Sequence, residues 1–346
     1  RLGRWADFTL DGLEIGTDGS RPLAPVPRLL LTLPWLPTDP PTLRSGAAGI
    51  TVDADGRLFF TQPQQNRLMR NDHCDVTETA VACIGGGRLP TQLRRPRGLV
   101  YDPYRQALVV ADSKNGRVQL FAPQTYQLLG LYDGFEEPVD VAVDGQGFLY
   151  VADAAANAVS KIDKYGQRWP GFSQRIHKKV PPLKSLAQPI ALDTAVFANE
   201  PHLFVLDGEK NAVFVFQTDG SLVTHFGSEQ LQQPMGLAVT ETAVYVGDNQ
   251  RQRILKFKNA PDFPFVGTAV HYQGPVAALA AIDNDLWVHP GDDRAPLPLK
   301  IGAGFVREGV CLSQPFTSPR TAPVRWQRLK AFVEQLTDET SLQLFV

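Results

Sequence analysis

The sequence predicts an all-β protein, a six-bladed β-propeller in which six small antiparallel sheets form a ring. Residues 96–121 contain three short β-type runs, 98–101, 107–111 and 117–121, which are separated by turn residues. The same pattern recurs at steps of 42, 51, 45 and 41 residues, counted between the prolines that open successive copies: Pro96, Pro138, Pro189, Pro234 and Pro275. A unit of this kind cannot bury its own faces. Several strands at a period of about 40 to 50 residues are typical of propeller blades that stack on one another.

An additional copy precedes this series and begins at Gly49. The copy that begins at Pro275 is degraded, and its strands are expected near 276–280, 286–289 and 297–301. The total is therefore six blades. The last blade lacks an obvious fourth strand, so we expect the segment 28–36 to supply its outer strand and close the ring.

The repeats resemble the NHL-repeat family of β-propellers. The resemblance lies in the Pro-x-Gly-Leu opening, the Leu-x-Val-Ala-Asp second strand and the Asn-x-Arg-Val third strand, and it covers roughly residues 46–300. It implies the propeller fold. It says less about function, because NHL propellers serve as platforms and occasionally as enzymes.

Three regions are expected along the chain. Residues 1–27 contain N-terminal strands, residues 28–304 form the propeller, and residues 305–346 form the C-terminal part of a small accessory β-module. The apolar run 341–346 reads as a strand that pairs with residues 4–14. Because the sequence stops on that run, we expect the polypeptide to continue beyond Val346.

Composition excludes few classes of function. The chain has 346 residues, of which 43% are hydrophobic and 20% are charged, and its formal net charge is −2. This balance is ordinary for a globular protein and gives no overall attraction to nucleic acid or to anionic lipid. The apolar run near the start is broken by Pro34 and is too short to span a bilayer, so no transmembrane segment is predicted.

Four aspartates occupy one repeat position, directly after the second strand of a blade, and are followed by recurring asparagines. A ring of carboxylates would suit a metal ion. However, an aspartate at a strand end also accepts backbone N–H bonds and fixes a turn, and its repetition favours that structural role. The residues are Asp112, Asp153, Asp207 and Asp248, with Asn115, Asn157 and Asn211 in the same turns.

The positions that follow each blade proline should approach the ring axis. Apart from Arg97 they are small or apolar, and Asp140 is the one carboxylate among them. Six-bladed lactonases and amidating lyases, which are similar in fold, place a metal ion at the axis, and catalysis of that kind needs several ligands there. The histidines show no paired spacing that would supply them: His73, His177, His202, His225, His271 and His289. We therefore predict no catalytic residue, no metal and no cofactor.

The cysteines are Cys74, Cys83 and Cys311, without Cys-x-x-Cys spacing, which argues against a zinc site. Cys74 and Cys83 either pair across a short excursion of the first blade or remain two thiols in a reducing compartment. The second alternative is favoured.

Two basic clusters are candidates for binding, one at Arg94, Arg95 and Arg97 and one at Lys178 and Lys179. Arginines at this density could contact RNA phosphates. The near-neutral chain and the lack of interleaved aromatic residues instead favour a surface that contacts protein.

Residues 74–103 and the late segment around Trp326 are similar to NHL-bearing phage-tail-like proteins of bacterial contractile injection systems. The resemblance implies a non-catalytic docking platform at the baseplate or periphery of such a particle, with other protein subunits as partners and no nucleic acid. The implied location is a bacterial cytoplasmic assembly or the particle itself. Secretion stays open because the chain begins at Arg1 rather than Met. Two alternatives remain: a metal-dependent hydrolase or lyase of the propeller type, and an RNA-binding NHL platform.

Overall fold

The computed structural model describes most of the repeat region and four short strand segments near the ends of the chain. The described residues are 8–11, 28–31, 48–71, 81–176, 186–268, 272–282, 285–291, 294–302 and 310–313, and side chains are described within 48–299 of these ranges.

The described strands form six small antiparallel sheets arranged as a six-bladed β-propeller, and a separate two-stranded sheet. Near the N-terminus lie β1 (Phe8–Asp11) and β2 (Arg28–Leu31). Blade 1 contains β3 (Ile50–Val52), β4 (Leu58–Gln62), β5 (Arg67–Asn71) and β6 (Val81–Ile84). Blade 2 contains β7 (Pro96–Asp102), β8 (Ala107–Asp112), β9 (Arg117–Phe121) and β10 (Leu128–Asp133). Blade 3 contains β11 (Pro138–Val143), β12 (Leu149–Asp153) and β13 (Ala158–Ile162), followed by helix α1 (Pro170–Ile176).

The second half of the ring repeats this order. Blade 4 contains β14 (Pro189–Phe197), β15 (Glu200–Asp207), β16 (Ala212–Gln217) and β17 (Leu222–Phe226). Blade 5 contains β18 (Pro234–Val239), β19 (Ala243–Asp248), β20 (Arg253–Lys258) and β21 (Phe265–Thr268). Blade 6 contains β22 (Ala278–Ile282), β23 (Asp285–His289) and β24 (Leu297–Gly302), and the C-terminal segment adds β25 (Val310–Ser313).

The hydrophobic core lies between blades. Each of six clusters of buried apolar side chains combines residues from two neighbouring blades, and one of them joins Ile50 and Phe60 of blade 1 to Ala278 and Trp287 of blade 6. A blade therefore buries its two faces against its two neighbours, as the repeat pattern predicts.

The last blade is completed from the beginning of the chain. Strand β2 pairs antiparallel with β24, with Leu29 opposite Ile301, and occupies the outer position predicted for a closing strand. At the inner side of the ring, the Ala48 N–H donates to the Ala277 carbonyl across 3.2 Å and joins blade 1 to blade 6.

Blade 3 has three described strands, whereas the other blades have four. Helix α1 packs beside β13 and buries Phe172 and Ile176 in the cluster shared with blade 4.

The Lys161 ammonium lies 3.9 Å from the centre of the Phe148 ring and 5.0 Å from that of Trp169, and it donates to the Thr218 carbonyl at 2.6 Å. Burial lowers the pKa of Lys161, and the surrounding aromatic rings stabilise its charge.

The chain divides into two compact units, Ala24–Arg307 and a second unit of Arg1–Leu23 with Glu308–Val346. In the second unit, β1 pairs antiparallel with β25, with Leu10 opposite Cys311. An N-terminal and a C-terminal segment therefore share a small sheet, in which the described partner of β1 is β25 and not the predicted strand 341–346. The predicted strand 341–346 lies outside the described residues. Among those residues, no helix combines the length and the apolar character that crossing a membrane requires.

Candidate functional site

Most of the candidate residues predicted from the sequence lie at one end of the ring. Four inner strands begin there with Pro96, Pro138, Pro189 and Pro234. Because neighbouring strands are antiparallel, the second strand of each blade ends, and the third begins, at the same end. We call this end the proline face.

The repeated aspartates lie on the proline face and bond to the backbone that enters their own blade. Asp207 Oδ2 accepts the Ala187 and Gln188 N–H groups at 2.6 and 3.1 Å, and Oδ1 accepts those of Glu209 and Lys210 at 3.1 and 2.9 Å. Asp112, Asp153 and Asp248 accept equivalent bonds from Arg94, from Glu136 and Glu137, and from Gln232. These bonds use the carboxylates in the way that a turn-fixing role requires.

The turn after each of these aspartates contains one residue with a left-handed backbone, four positions later. Asn157 and Asn211 hold it with φ values of 52° and 51°, and asparagine adopts this region more readily than most residues. In blade 2 the left-handed residue is Gly116, so Asn115 has another role. Its side-chain amide donates to Asp112 Oδ2 and to the Gly87 carbonyl.

A cavity of about 290 Å³ lies at the ring axis, lined by the inner strands of all six blades. Most of the lining residues are apolar or glycine. Two carboxylates line it, Asp140 of blade 3 and Asp193 of blade 4. The expectation that Asp140 alone would reach the axis is wrong, because Asp193 lies two positions further along its strand, where the side chain points to the same side.

Both carboxylates join neighbouring blades. Asp140 Oδ2 accepts the N–H of Leu192 in blade 4, and Asp193 Oδ2 accepts the N–H of Val239 in blade 5, both at 2.7 Å. Thr51 of blade 1 makes the same kind of bond, because its Oγ1 accepts the N–H of Tyr101 in blade 2 at 2.9 Å. An oxygen on an inner strand thus binds the backbone of the next blade at three of the six blade junctions among the described residues.

At two positions the inner strands of adjacent blades also pack closely at a glycine. A Cβ on Gly49 would lie 2.4 Å from the Leu99 nitrogen, and a Cβ on Gly98 would lie 2.4 Å from the Asp140 Cα. These glycines allow adjacent inner strands to approach closely, and at Gly98 this approach is a physical reason for the Pro-x-Gly opening of blade 2.

The pKa of Asp140 and of Asp193 is raised to about 7 each, mainly by burial from bulk water and, for Asp140, also by the charge of Asp193. Two carboxyl groups that titrate near neutrality in a cavity are a candidate acid and base. However, each already accepts a backbone N–H from the next blade. In the described part of the chain, no group of three His, Cys, Asp or Glu side chains could hold a metal ion.

The described histidines contact backbone carbonyls or an aromatic ring and do not line the axial cavity. His202 bonds to the Glu200 carbonyl at 2.9 Å, His225 stacks on Phe214, and His289 bonds to the Thr61 carbonyl. His73, His177 and His271 lie outside the described residues.

The arginine cluster lies on the proline face, where blade 1 meets blade 2. Arg97 is paired with Glu137 at 3.3 Å, and Lys114 reaches the same carboxylate at 3.2 Å. The Arg94 side chain is exposed, and the Arg95 side chain is half-buried with its Nε buried and without a hydrogen bond. Burial and the neighbouring charge of Arg95 lower the pKa of Arg97, while Glu137 opposes this shift. The other basic cluster, Lys178 and Lys179, lies outside the described residues.

A loop between blade 1 and blade 2 lies next to this cluster. Residues 85–93, which we call the anchored loop, expose Arg88 and Leu89, the latter by 66%. The backbone of this loop is nonetheless fixed by hydrogen bonds from two side chains of β9. Arg117 donates to the Leu89 and Gln92 carbonyls at 2.7 and 3.0 Å, and the fully buried Gln119 amide donates to the Gln92 carbonyl at 2.8 Å.

Cys83 carries a free thiol, which donates to the Leu68 carbonyl at 3.2 Å. The alternative of a bond to Cys74 is therefore not realised. Burial raises the pKa of the Cys83 thiol to about 12, so it is unreactive near neutral pH. Cys74 lies outside the described residues.

No protein-family model matches the chain, and no curated protein matches it. Similar solved structures are other propellers. A catalytically inactive variant of virginiamycin B lyase from Staphylococcus aureus, crystallised with quinupristin, has a TM-score of 0.55 and 14% identity over 85% of this chain and 95% of that chain. A streptogramin B lyase has a TM-score of 0.53 and 12% identity over 86% and 89% of the two chains.

A chain of the nidogen/laminin complex has a TM-score of 0.52 and 15% identity over 75% of this chain and 91% of that chain. At these identities the likeness establishes the fold and leaves the function open, because one fold carries many functions. The chain is therefore an all-β six-bladed propeller whose neighbours include both lyases and a component of a protein complex.

Proposed function

We propose that this protein is a non-catalytic docking platform in a multiprotein assembly. The observation that carries the proposal is the anchored loop, which exposes a large apolar side chain and an arginine on a backbone fixed by Arg117 and Gln119. A loop that is already ordered loses little conformational entropy on binding, so its contacts contribute more fully to affinity.

The arrangement at the axis supports the absence of catalysis. Asp140 and Asp193 each bond the backbone of the next blade, and this use explains why they occur on inner strands. The sequence similarity to phage-tail-like proteins suggests the kind of assembly, a contractile injection system with this chain at its baseplate or periphery. The proposed location is correspondingly the bacterial cytoplasm or the particle itself.

Gentle purification from the native source, followed by sedimentation and mass spectrometry, tests the proposal. We expect the protein to sediment in a large particle together with sheath, tube or spike components. A protein that runs alone as a monomer would contradict the docking function. Incorporation of a variant with Arg94→Glu and Arg95→Glu, compared with the wild type, then tests whether the proline face makes the contact.

A second candidate function, a hydrolase or lyase of the propeller type, has one specific observation in its favour. Asp140 and Asp193 line a cavity and have pKa values of about 7. Assays of lactones and esters with and without added divalent metal would detect such an activity. It should disappear in Asp140→Asn and Asp193→Asn variants that remain folded, and its absence from the wild type supports the platform.

A further inference from the structure

Charge is unevenly distributed on the proline face. The connections of blades 1 and 2 that end there are residues 62–67, 84–97 and 112–117, which we call the basic sector. They carry one carboxylate, that of Asp112, which is buried and bonded to Arg117 at 2.8 Å. They carry seven cationic side chains: Arg67, Arg88, Arg94, Arg95, Arg97, Lys114 and Arg117.

Several of these cations lack a counter-charge. Arg97 and Lys114 share the carboxylate of Glu137, and Arg117 is paired with Asp112. The guanidinium groups of Arg88, Arg94 and Arg95 have no ion pair among the described residues, and these three arginines remain available to an anionic ligand.

The anchored loop gives this sector an apolar contact. Leu89 is 66% exposed between Arg88 and Pro90, which are also exposed. Its backbone is fixed on both sides, because the Leu89 N–H donates to the Gln92 side chain at 3.2 Å and its carbonyl accepts from Arg117. A fixed, exposed leucine between basic groups matches a ligand that presents an apolar group flanked by carboxylates.

We propose that the basic sector binds an acidic segment of a partner protein, with Leu89 as the apolar contact and Arg88, Arg94 and Arg95 as the groups that pair with carboxylates. This inference rests on the proposed docking function and names the chemistry of the partner. A polypeptide is favoured over a nucleic acid because the basic sector exposes the apolar side chain of Leu89. The sector contains no aromatic ring on which a base could stack.

Binding of a fluorescein-labelled copolymer of glutamate and leucine, measured by fluorescence anisotropy, tests the proposal. We expect the copolymer to bind more tightly than poly-L-glutamate, because only the copolymer can contact Leu89. Substitution Leu89→Ser should weaken copolymer binding about tenfold, to the level of poly-L-glutamate. The double variant with Arg88→Glu and Arg94→Glu should weaken binding of both polymers by about tenfold or more.

The matched control is a double variant with Arg251→Glu and Arg253→Glu. These arginines are exposed on the same face but belong to blade 5, so the variant changes net charge equally without touching the basic sector. Thermal melts of all variants establish that they fold. Equal loss of binding in the control and in the Arg88 and Arg94 double variant would show a non-specific charge effect and would overturn the proposal.

Two further results would overturn it. One is tighter binding of oligouridylate RNA than of the copolymer, which would assign the sector to nucleic acid. The other is co-sedimentation of the Leu89→Ser variant and of the Arg88 and Arg94 double variant with the native particle at wild-type levels. That second result leaves the platform function intact, whereas a wild-type protein absent from any particle contradicts the platform itself.

Discussion

The ring Nε2 of His289 lies 3.1 Å from the Thr61 carbonyl oxygen and thereby joins blade 6 to blade 1. His289 is fully buried, and its Nδ1 accepts the Gly291 N–H at 3.0 Å. These two bonds assign the neutral tautomer with the proton on Nε2. A second proton on Nδ1 would break the Gly291 bond and place a charge in an apolar junction.

The first prediction concerns acid stability. Burial lowers the pKa of His289 to about 4, against 6.5 for the ordinary group. The unfolded chain therefore binds the proton first, and this histidine makes the free energy of unfolding fall as the pH falls from 6.5 to 4, by at most about 3 kcal/mol. His289→Gln keeps a donor and an acceptor without titrating. Denaturant unfolding at pH 7 and pH 4 should show a smaller acid loss in this variant, and an identical loss would contradict the assignment.

The second prediction concerns the axial carboxylates, which act in the opposite direction. Their pKa values are about 7 when folded and 3.8 for the ordinary group, so their contribution to stability is complete below pH 3.8 and is lost as the pH rises through 7. Asp140→Asn and Asp193→Asn retain an oxygen that accepts the N–H of the next blade. Denaturant unfolding measures the free energy of unfolding of each variant and of the wild type. We expect the variant's value minus that of the wild type to increase as the pH rises from 4 to 8.

The control for this pair is Asp193→Ala, which removes the acceptor and leaves the Val239 N–H without its bond. It should cost about 1 to 3 kcal/mol. Equal stability of the Asn and Ala variants at pH 4 would mean that the bond between blades 4 and 5 contributes little.

The third prediction concerns the repeated aspartates of the proline face. Asp207→Ala removes the acceptor of four backbone N–H groups and should lower the free energy of unfolding by about 3 kcal/mol or more. Asp219→Ala is a suitable comparison, because Asp219 is a half-exposed aspartate in another turn of the same blade. Its effect should stay near 0.5 kcal/mol. Similar losses in the two variants would remove the special role of the repeat position.

The fourth prediction concerns ring closure. Deletion of residues 28–36 removes β2 and leaves β24 as an unpaired edge. The melting temperature should fall sharply, and differential scanning calorimetry measures it. Deletion of residues 1–7, which leaves β1 and β2 in place, serves as the control, and an unchanged melt after the longer deletion would disprove closure by this strand.

Regular features of the chain were predictable from local patterns. The recurrence of the opening prolines, together with the earlier copy that begins at Gly49, predicted the number of blades, and the position of each aspartate at a strand end indicated its bonds to the backbone. The outer strand β10 was missed because its residues are partly exposed and carry no strong alternation. Helix α1 was missed because it is short, begins at Pro170 and is stabilised by contacts with blade 3 and blade 4.

The candidate site was harder to predict because it depends on contacts between distant segments. Arg117 and Gln119 look like surface residues of a strand, yet they are buried and bond the anchored loop some 25 residues away. Asp193 lies four residues after its blade proline, whereas Asp140 lies two residues after its own. A comparison restricted to the two residues after each proline therefore overlooks Asp193. An Asp or Thr two or four positions after the blade opening is the signal that finds such groups.

Helix α1 in place of a described fourth strand makes blade 3 unlike the other blades. A ring of identical blades would present equivalent surfaces at every sixth of a turn, and a partner could seat on it in several rotational settings. Here blade 3 carries a helix beside its outermost described strand, and the cationic groups are concentrated in the connections of blades 1 and 2. A partner that recognises both features can bind in only one orientation about the ring axis. The departure from repeat symmetry therefore fixes the orientation of the bound partner.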